Sequence, residues 1–182
     1  MKKTIMLFAL ATLTLVTFAQ KKRVTTSATI IFDATTPKDA FPKAENKTVV
    51  ASINTKNGDV AFEAIIKSFS FTNPTIQDHF NGAQWMDSEK LPKSTFKGKI
   101  TNLKEVNFKK DGTYSATVTG NLTLHGITKP VTSTATITVA GKTISTKTDF
   151  TINLDDYGIT GAAIGAGKVA KEPKISVVAD FK

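Results

Sequence analysis

The chain has 182 residues, 40% of them hydrophobic and 21% charged, with 24 Lys and Arg against 15 Asp and Glu and no cysteine. The missing thiols exclude a disulfide framework, a cysteine metal site and a lipid-modified anchor cysteine, so stability is expected from a buried core. The net charge of +9 invites a nucleic-acid partner, but Arg23 is the only arginine and the lysines stand singly, whereas base and phosphate recognition favours the arginine fork.

The first nineteen residues read as an export leader. Lys2 and Lys3 give a positive start, Thr4 to Phe18 an apolar run, and Thr17-Phe18-Ala19 a small-residue cleavage site before Gln20. The run of 15 residues is shorter than the roughly 18 expected of a membrane span. Cleavage after Ala19 would leave residues 20–182 as one periplasmic or secreted domain, large enough for a sizeable core.

From there the pattern is that of strands, whose side chains alternate between two faces. Ala28, Ile30 and Phe32 alternate with Thr29, Ile31 and Asp33. Val49 to Asn54 leads to Asn57-Gly58, a strong hairpin signal. Beyond it Val60, Phe62, Ala64 and Ile66 oppose Ala61, Glu63, Ile65 and Lys67, and the charged pair marks the outside. From Phe69 to Pro92 the alternation breaks around Pro74, Gly82 and Pro92, and a short helix fits Thr75 to Phe80. Phe96, Gly98 and Ile100 then alternate with Lys97, Lys99 and Thr101, and Val106 and Phe108 precede an Asp111-Gly112 turn.

The longest pattern comes next. Tyr114, Ala116, Val118, Gly120, Leu122 and Leu124 share one face, and Ser115, Thr117, Thr119, Asn121 and Thr123 the other. A basic link, His125-Gly126-Ile127-Thr128-Lys129-Pro130, joins this strand to a second, in which Val131, Ser133, Ala135, Ile137 and Val139 oppose a row of threonines suited to a solvated face. Ile144, Thr146, Thr148, Phe150, Ile152 and Leu154 form another inward row, and Ile175, Val177, Ala179 and Phe181 close the chain.

About eight regularly spaced strands with one greasy face predict an all-β protein, a closed antiparallel barrel or a sandwich, with a helix and loop segment near 73–92. Closure favours the barrel, whose interior at this size can hold one small ligand. The inward rows mix small Ala64, Ala116, Gly120, Ser133, Ala135 and Ala179 with large Phe62, Phe96 and Phe150. That mixture supports a cavity and a filled, interdigitated core equally.

Three segments together resemble a known family. Phe80-Asn81-Gly82-Ala83-Gln84-Trp85-Met86 is followed by Glu89-Lys90-Leu91-Pro92-Lys93-Ser94-Thr95-Phe96-Lys97-Gly98-Lys99-Ile100, and then by Gly120 to Val131 with Leu124-His125-Gly126-Ile127-Thr128-Lys129-Pro130 at its centre. In this order they are similar to the signatures of the YceI-like, polyisoprenoid-binding family, and the likeness runs from about Val24 to Lys182. It implies an extended lipocalin-like antiparallel barrel, usually exported to the bacterial periplasm, whose apolar tunnel holds a quinone tail or polyprenyl lipid. Many members carry an Arg-Asp segment where this chain has Thr75-Ile76-Gln77-Asp78-His79. Many also have an Asn-Arg pair before Asp-Phe-Gly-Ile, where this chain has Asn153-Leu154-Asp155-Asp156-Tyr157-Gly158-Ile159. The head-group contacts of those arginines therefore do not carry over.

Other chemical signals are weaker. Thr160-Gly161-Ala162-Ala163-Ile164-Gly165-Ala166-Gly167 spells a dinucleotide fingerprint, but such a loop must follow a first strand and open a helix in a βαβ unit. Here the chain soon ends in an alternating strand, so a loop at the barrel rim is the better reading. His79 and His125 lack the clustered spacing of a metal site. No nucleophile elbow or paired-carboxylate motif stands out. The expected protein is thus a non-enzymatic binder of an isoprenoid lipid or quinone, without metal or cofactor. The tunnel lining is expected at Phe62, Ile66, Phe96, Val118, Leu122 and Phe150, with His79, Phe80, Trp85 and Tyr157 nearer the mouth. The alternatives are a filled barrel whose basic surface or rim binds a protein or membrane, and a small hydrolase or metal site using His79 and His125. Weak attraction to anionic membrane surfaces and a homodimer are compatible with the same pattern.

Overall fold

The computed structural model describes residues 22–182, so the expected leader lies outside the described residues. Nine strands form one antiparallel sheet: β1 (Lys22–Asp33), β2 (Lys43–Asn54), β3 (Asp59–Ile65), β4 (Ser70–Phe71), β5 (Lys93–Ile100), β6 (Gly112–Leu124), β7 (Ile127–Ala140), β8 (Thr143–Thr151) and β9 (Lys174–Phe181). Their order is β1-β9-β8-β7-β6-β5-β3-β2-β4, and a further pairing of β1 with β2 closes eight of them into a barrel. The two-residue β4 sits outside that ring, against Ala44 and Glu45 of β2.

The predicted strands are present, and most are longer than the alternation suggested. β2 begins at Lys43 rather than Val49 because its first half carries Asn46 at an inward position, which hides the apolar pattern. That side chain is fully buried, but its amide donates to the Ile65 carbonyl at 3.0 Å and accepts from Thr48 N–H at 2.9 Å, so no hydrogen bond is forfeited. The pair Val106 and Phe108 lies in irregular chain after a 3₁₀ turn (Leu103–Glu105).

The basic link is much shorter than its sequence suggested. Only His125-Gly126 turns the chain, with φ of +49° and +75°, a two-residue hairpin of the kind that matches strand twist. Ile127 to Pro130 already belong to β7, and Pro130 faces Asn121 of β6. Proline is tolerated there because β7 pairs with β8 only from Ala135 onward, so its N-terminal half presents a free edge on that side.

Helix α1 (Pro74–Asn81) falls where the sequence predicted one. Asn73 caps it by accepting from Thr75 N–H at 2.9 Å, and Pro74 occupies the first turn, where no N–H is missed. Gln77 then ties it down, donating to the Phe69 carbonyl at 2.7 Å and accepting from Phe71 N–H at 2.9 Å. The segment read as a false dinucleotide loop makes one short turn, α2 (Ala162–Gly165), before β9.

The largest fully buried side chains gather at the two ends of the barrel. Ile53, Ile100, Ile137, Ile144 and Phe181 form a floor at the end that carries the β2–β3 and β7–β8 turns. Ile66, Leu154 and Ile159, together with Phe80 and Met86 of the α1 region, form a roof.

Candidate functional site

Between floor and roof the barrel is hollow. A cavity of about 150 Å³ is bounded by inward residues of β1, β2, β3, β5, β6, β7, β8 and β9. The interior question that composition left open is therefore answered for a cavity, not for a filled core.

The glycine pair of the β5–β6 wall explains how a barrel with so many phenylalanines stays open. Gly98 faces Gly120 across the two strands. A Cβ on Gly98 would lie 2.7 Å from the Phe96 ring, and one on Gly120 would lie 2.6 Å from that ring and 2.5 Å from the Gly98 Cα. The ring thus rests on the glycines along its own wall. A side chain at either position would collide with that ring and with the backbone of the facing strand.

Three hydroxyls of the lining are occupied by backbone carbonyls. Ser94 Oγ donates to the Thr123 carbonyl at 3.0 Å, Thr148 Oγ1 to the Thr134 carbonyl at 2.9 Å and Thr146 Oγ1 to the Ala179 carbonyl at 3.4 Å. Thr148 does so at the level where β7 and β8 part, so its hydroxyl stands in for a ladder bond. Lys147 reaches the lining through its backbone, since strand alternation turns its side chain outward between inward Thr146 and Thr148. The wall therefore offers apolar contact and no ionisable group for acid–base work.

A second chamber of about 200 Å³ lies under α1 and α2. It is lined by Asp39, Pro42, Phe71, Ile76 and His79 on one side and by Ala163, Lys168 and Val169 on the other. Phe32, Phe80 and Trp85 line both spaces and so form the partition between them. Phe80 is its centre: it is 6% exposed, and its ring centroid lies 4.9 Å from Phe71 and 5.9 Å from both Phe32 and Phe69, in tilted contacts.

Of the residues singled out from sequence, Phe62, Ile66, Phe96, Val118, Leu122 and Phe150 all line the inner cavity, as do Phe80 and Trp85. His79 lines only the outer chamber. Tyr157, expected near the mouth, touches neither: it is 2% exposed within the core, and burial, then the nearby Asp156 charge, raises its phenol pKa. Its carbonyl meets His125 Nδ1 at 3.0 Å, which fixes His125 as part of the β6–β7 turn rather than as a ligand contact. His79 and His125 stand on separate elements, and no group of three or more His, Asp or Glu side chains assembles as a metal site among the described residues. The outer chamber was missed because its walls come from irregular segments with no periodicity; only the closeness of Phe71, Phe80 and Trp85 in sequence pointed that way.

The description "YceI-like domain" fits the chain's sequence over residues 14–181. This chain belongs to the YceI-like family. Among curated relatives, a UPF0312 protein of Pseudomonas putida is 37% identical over 89 residues, 46% of this chain and 43% of that protein. A UPF0312 protein of Pseudomonas syringae pv. syringae is 35% identical over 98 residues, covering 50% and 47%. The matches thus span less than half the length of these curated relatives. Among solved structures, BcnA of Burkholderia cenocepacia superposes with a TM-score of 0.71 at 19% identity, covering 85% of this chain and 96% of that one. A polyisoprenoid binding domain from Saccharophagus degradans, implicated in plant cell wall breakdown, superposes with a TM-score of 0.74 at 9% identity, covering 90% and 98%. These likenesses place the YceI-like chain in a shared lipocalin-like barrel fold.

Proposed function

We propose that this YceI-like chain is a non-enzymatic, exported carrier that holds an isoprenoid amphiphile, of quinone or polyprenyl type, in the periplasm. The observation that carries the reading is the apolar cavity inside a closed barrel, in which the inward hydroxyls of Ser94, Thr146 and Thr148 are turned to backbone carbonyls. Such a wall recognises a hydrocarbon chain by burial, worth about 0.8 kcal/mol per methylene before ordering costs, and makes no demand for polar atoms along it. The partition at Phe80 leads from this wall to the outer chamber, where His79, Asp39 and Lys168 offer the polar surroundings a head group needs. The family and the polyisoprenoid-binding neighbour from Saccharophagus degradans support the choice of ligand class.

The size of the cavities sets the terms of binding. A space of about 150 Å³ takes a benzene-sized guest. Inner cavity and outer chamber together reach the low end of the roughly 300–1,000 Å³ typical of small-molecule sites. A tail of several isoprene units therefore occupies both spaces and displaces the partition. Native mass spectrometry with organic extraction, on protein purified from its own periplasm, tests the proposal. An adduct of isoprenoid mass is the expected result, and the same spectrum reads the oligomeric state. Apo protein that also ignores added quinones and polyprenols would overturn it.

A further inference from the structure

The rim above the outer chamber is built from two segments that the cavity itself does not explain. Residues 34–42 and 160–170 are stapled by three cross-connections: Ala170 N–H donates to the Ala34 carbonyl at 2.8 Å, Thr36 Oγ1 to the Gly167 carbonyl at 2.9 Å, and Lys38 Nζ to the Ala166 carbonyl at 3.1 Å. They form one surface rather than two loose loops.

That surface is unusual in what it shows to water. Asp39 folds the first segment by accepting from Phe41 N–H at 2.8 Å, and the turn leaves Phe41 pointing outward at 57% exposure. Among the described residues it is the most exposed large hydrophobic side chain and the only aromatic of that group. Pro37, Ala40, Ala162, Gly165 and Ala166 surround the same rim and are also exposed. Single exposed apolar residues are common on soluble proteins and mean nothing by themselves. Here the aromatic lies between Asp39 and Pro42, which line the outer chamber, on a surface that also carries exposed small residues and the cations Lys38 and Lys168.

The cations are unneutralised. Lys43 is paired with Asp33 at 3.1 Å and Lys171 with Asp155 at 2.7 Å, whereas Lys38 and Lys168 form no ion pair among the described residues. An aromatic wedge beside lysines that no carboxylate neutralises among the described residues complements an anionic lipid surface, where the ring enters the interface and the ammonium groups meet the head groups.

We propose that this rim docks on an anionic bilayer, with Phe41 inserted and Lys38 and Lys168 at the head groups. The outer chamber then opens toward the membrane, and an amphiphile crosses between bilayer and barrel without passing through water. The docking is weak and reversible, because one aromatic and two lysines fall short of the two strong signals that stable anchoring takes. Only the purpose of the dock rests on the carrier reading; the dock is tested without any cargo.

The experiment is co-sedimentation of the full-length processed protein with vesicles of phosphatidylcholine alone or mixed with phosphatidylglycerol. Wild type is expected to pellet with the mixed vesicles, to stay in solution with phosphatidylcholine, and to be released by high salt. Lys38→Glu with Lys168→Glu should weaken partitioning by more than tenfold, since each lysine near an anionic surface contributes about fivefold. Phe41→Ser should weaken it several-fold while leaving the salt dependence. The control is Lys109→Glu with Lys110→Glu, an equal charge change at the floor end, which should bind as wild type.

Equal binding to both vesicle types would overturn the proposal. So would loss of binding in the floor-end variant with none in the rim variant, since bulk charge would then be at work. Analytical ultracentrifugation of the same proteins covers the other occupant: if Phe41→Ser splits a dimer without changing vesicle binding, the ring belongs to a contact with a second copy and the dock is wrong. Apo protein in the mass spectrum with intact docking would sink the carrier and spare the rim.

Discussion

Phe80→Ala is the most informative perturbation, because its two effects have opposite signs. Phe80 is buried at the centre of three other rings, at 4.9, 5.9 and 5.9 Å. Truncating a buried phenylalanine costs about 3–5 kcal/mol. The low end applies here, because Phe80 already borders a cavity on two sides and so has fewer packing partners to lose. A loss of about 3 kcal/mol lowers the melting temperature of a chain this size by about 6–12 °C. The same truncation merges the 150 Å³ cavity with the 200 Å³ chamber and adds the volume of a phenyl ring.

The assay is therefore a pair. Circular dichroism follows thermal unfolding of both proteins without ligand, and binding is then measured over a series from geraniol through farnesol and geranylgeraniol to a long polyprenol. The variant should melt earlier, and its best chain should be longer than that of wild type by about one isoprene unit or more. Long prenols should restore its melting temperature further than they raise that of wild type, since ligand binding to the folded state stabilises it by mass action. A variant that is destabilised yet keeps the wild-type chain preference would refute the partition, because Phe80 would then be a packing residue alone.

Three further outcomes follow from the same geometry. Gly120→Ala places a Cβ 2.5 Å from the Gly98 Cα, so overpacking by about 1–3 kcal/mol should appear as an earlier urea midpoint, and the displaced Phe96 ring should reduce prenol uptake; an unchanged midpoint would contradict the close approach. Val118→Trp fills the inner cavity from the β6 wall, so a folded variant should lose long-chain prenols, and undiminished retention would remove Val118 from the lining. Asp149 is held below the usual carboxylate range by the Ser176 hydroxyl, then against desolvation by Lys174. In Asp33 desolvation is the largest influence and pushes upward, but Thr35 and Lys43 together outweigh it. Both groups bind protons more readily unfolded, so their contribution is complete above about pH 4 and is lost as pH falls through the folded values. Asp149→Asn should flatten the fall of the urea midpoint below that pH, and an unchanged slope would show that the Ser176 contact is not maintained in solution.

The barrel was legible because period-two alternation survives wherever a strand has one wet face, as in Tyr114 to Leu124. It failed where one inward polar residue interrupts it, as Asn46 does in β2, and where a proline suggests a loop, as Pro130 does inside β7. Neither exception can be read locally: Asn46 is acceptable because Ile65 of another segment receives its amide, and Pro130 because β8 does not reach that part of β7. The inward rows face the cavity, since an inward strand residue in a closed barrel has nowhere else to point. Whether the interior was filled lay beyond that logic. It depends on how Phe96 packs on Gly98 and Gly120, a contact between two strands that no count of large and small residues contains. Tyr157 was misplaced for a similar reason, because a 3₁₀ turn (Leu154–Tyr157) rather than a strand decides its direction.

Affinity then depends on the partition more than on the wall. At about 0.8 kcal/mol per methylene, one isoprene unit in the inner cavity contributes roughly 4 kcal/mol before ordering costs, which corresponds to millimolar binding. Micromolar binding needs about 8 kcal/mol, or roughly ten buried carbons, and that requires both chambers. If the chain carries a prenyl tail, the step from weak to tight holding is the displacement of Phe80, and α1 bears on it, since Gln77 fastens the helix to Phe69 and Phe71, two of the three rings that surround Phe80. On that carrier reading, a tail that enters only the outer chamber would leave again, and one that moves the ring would be held.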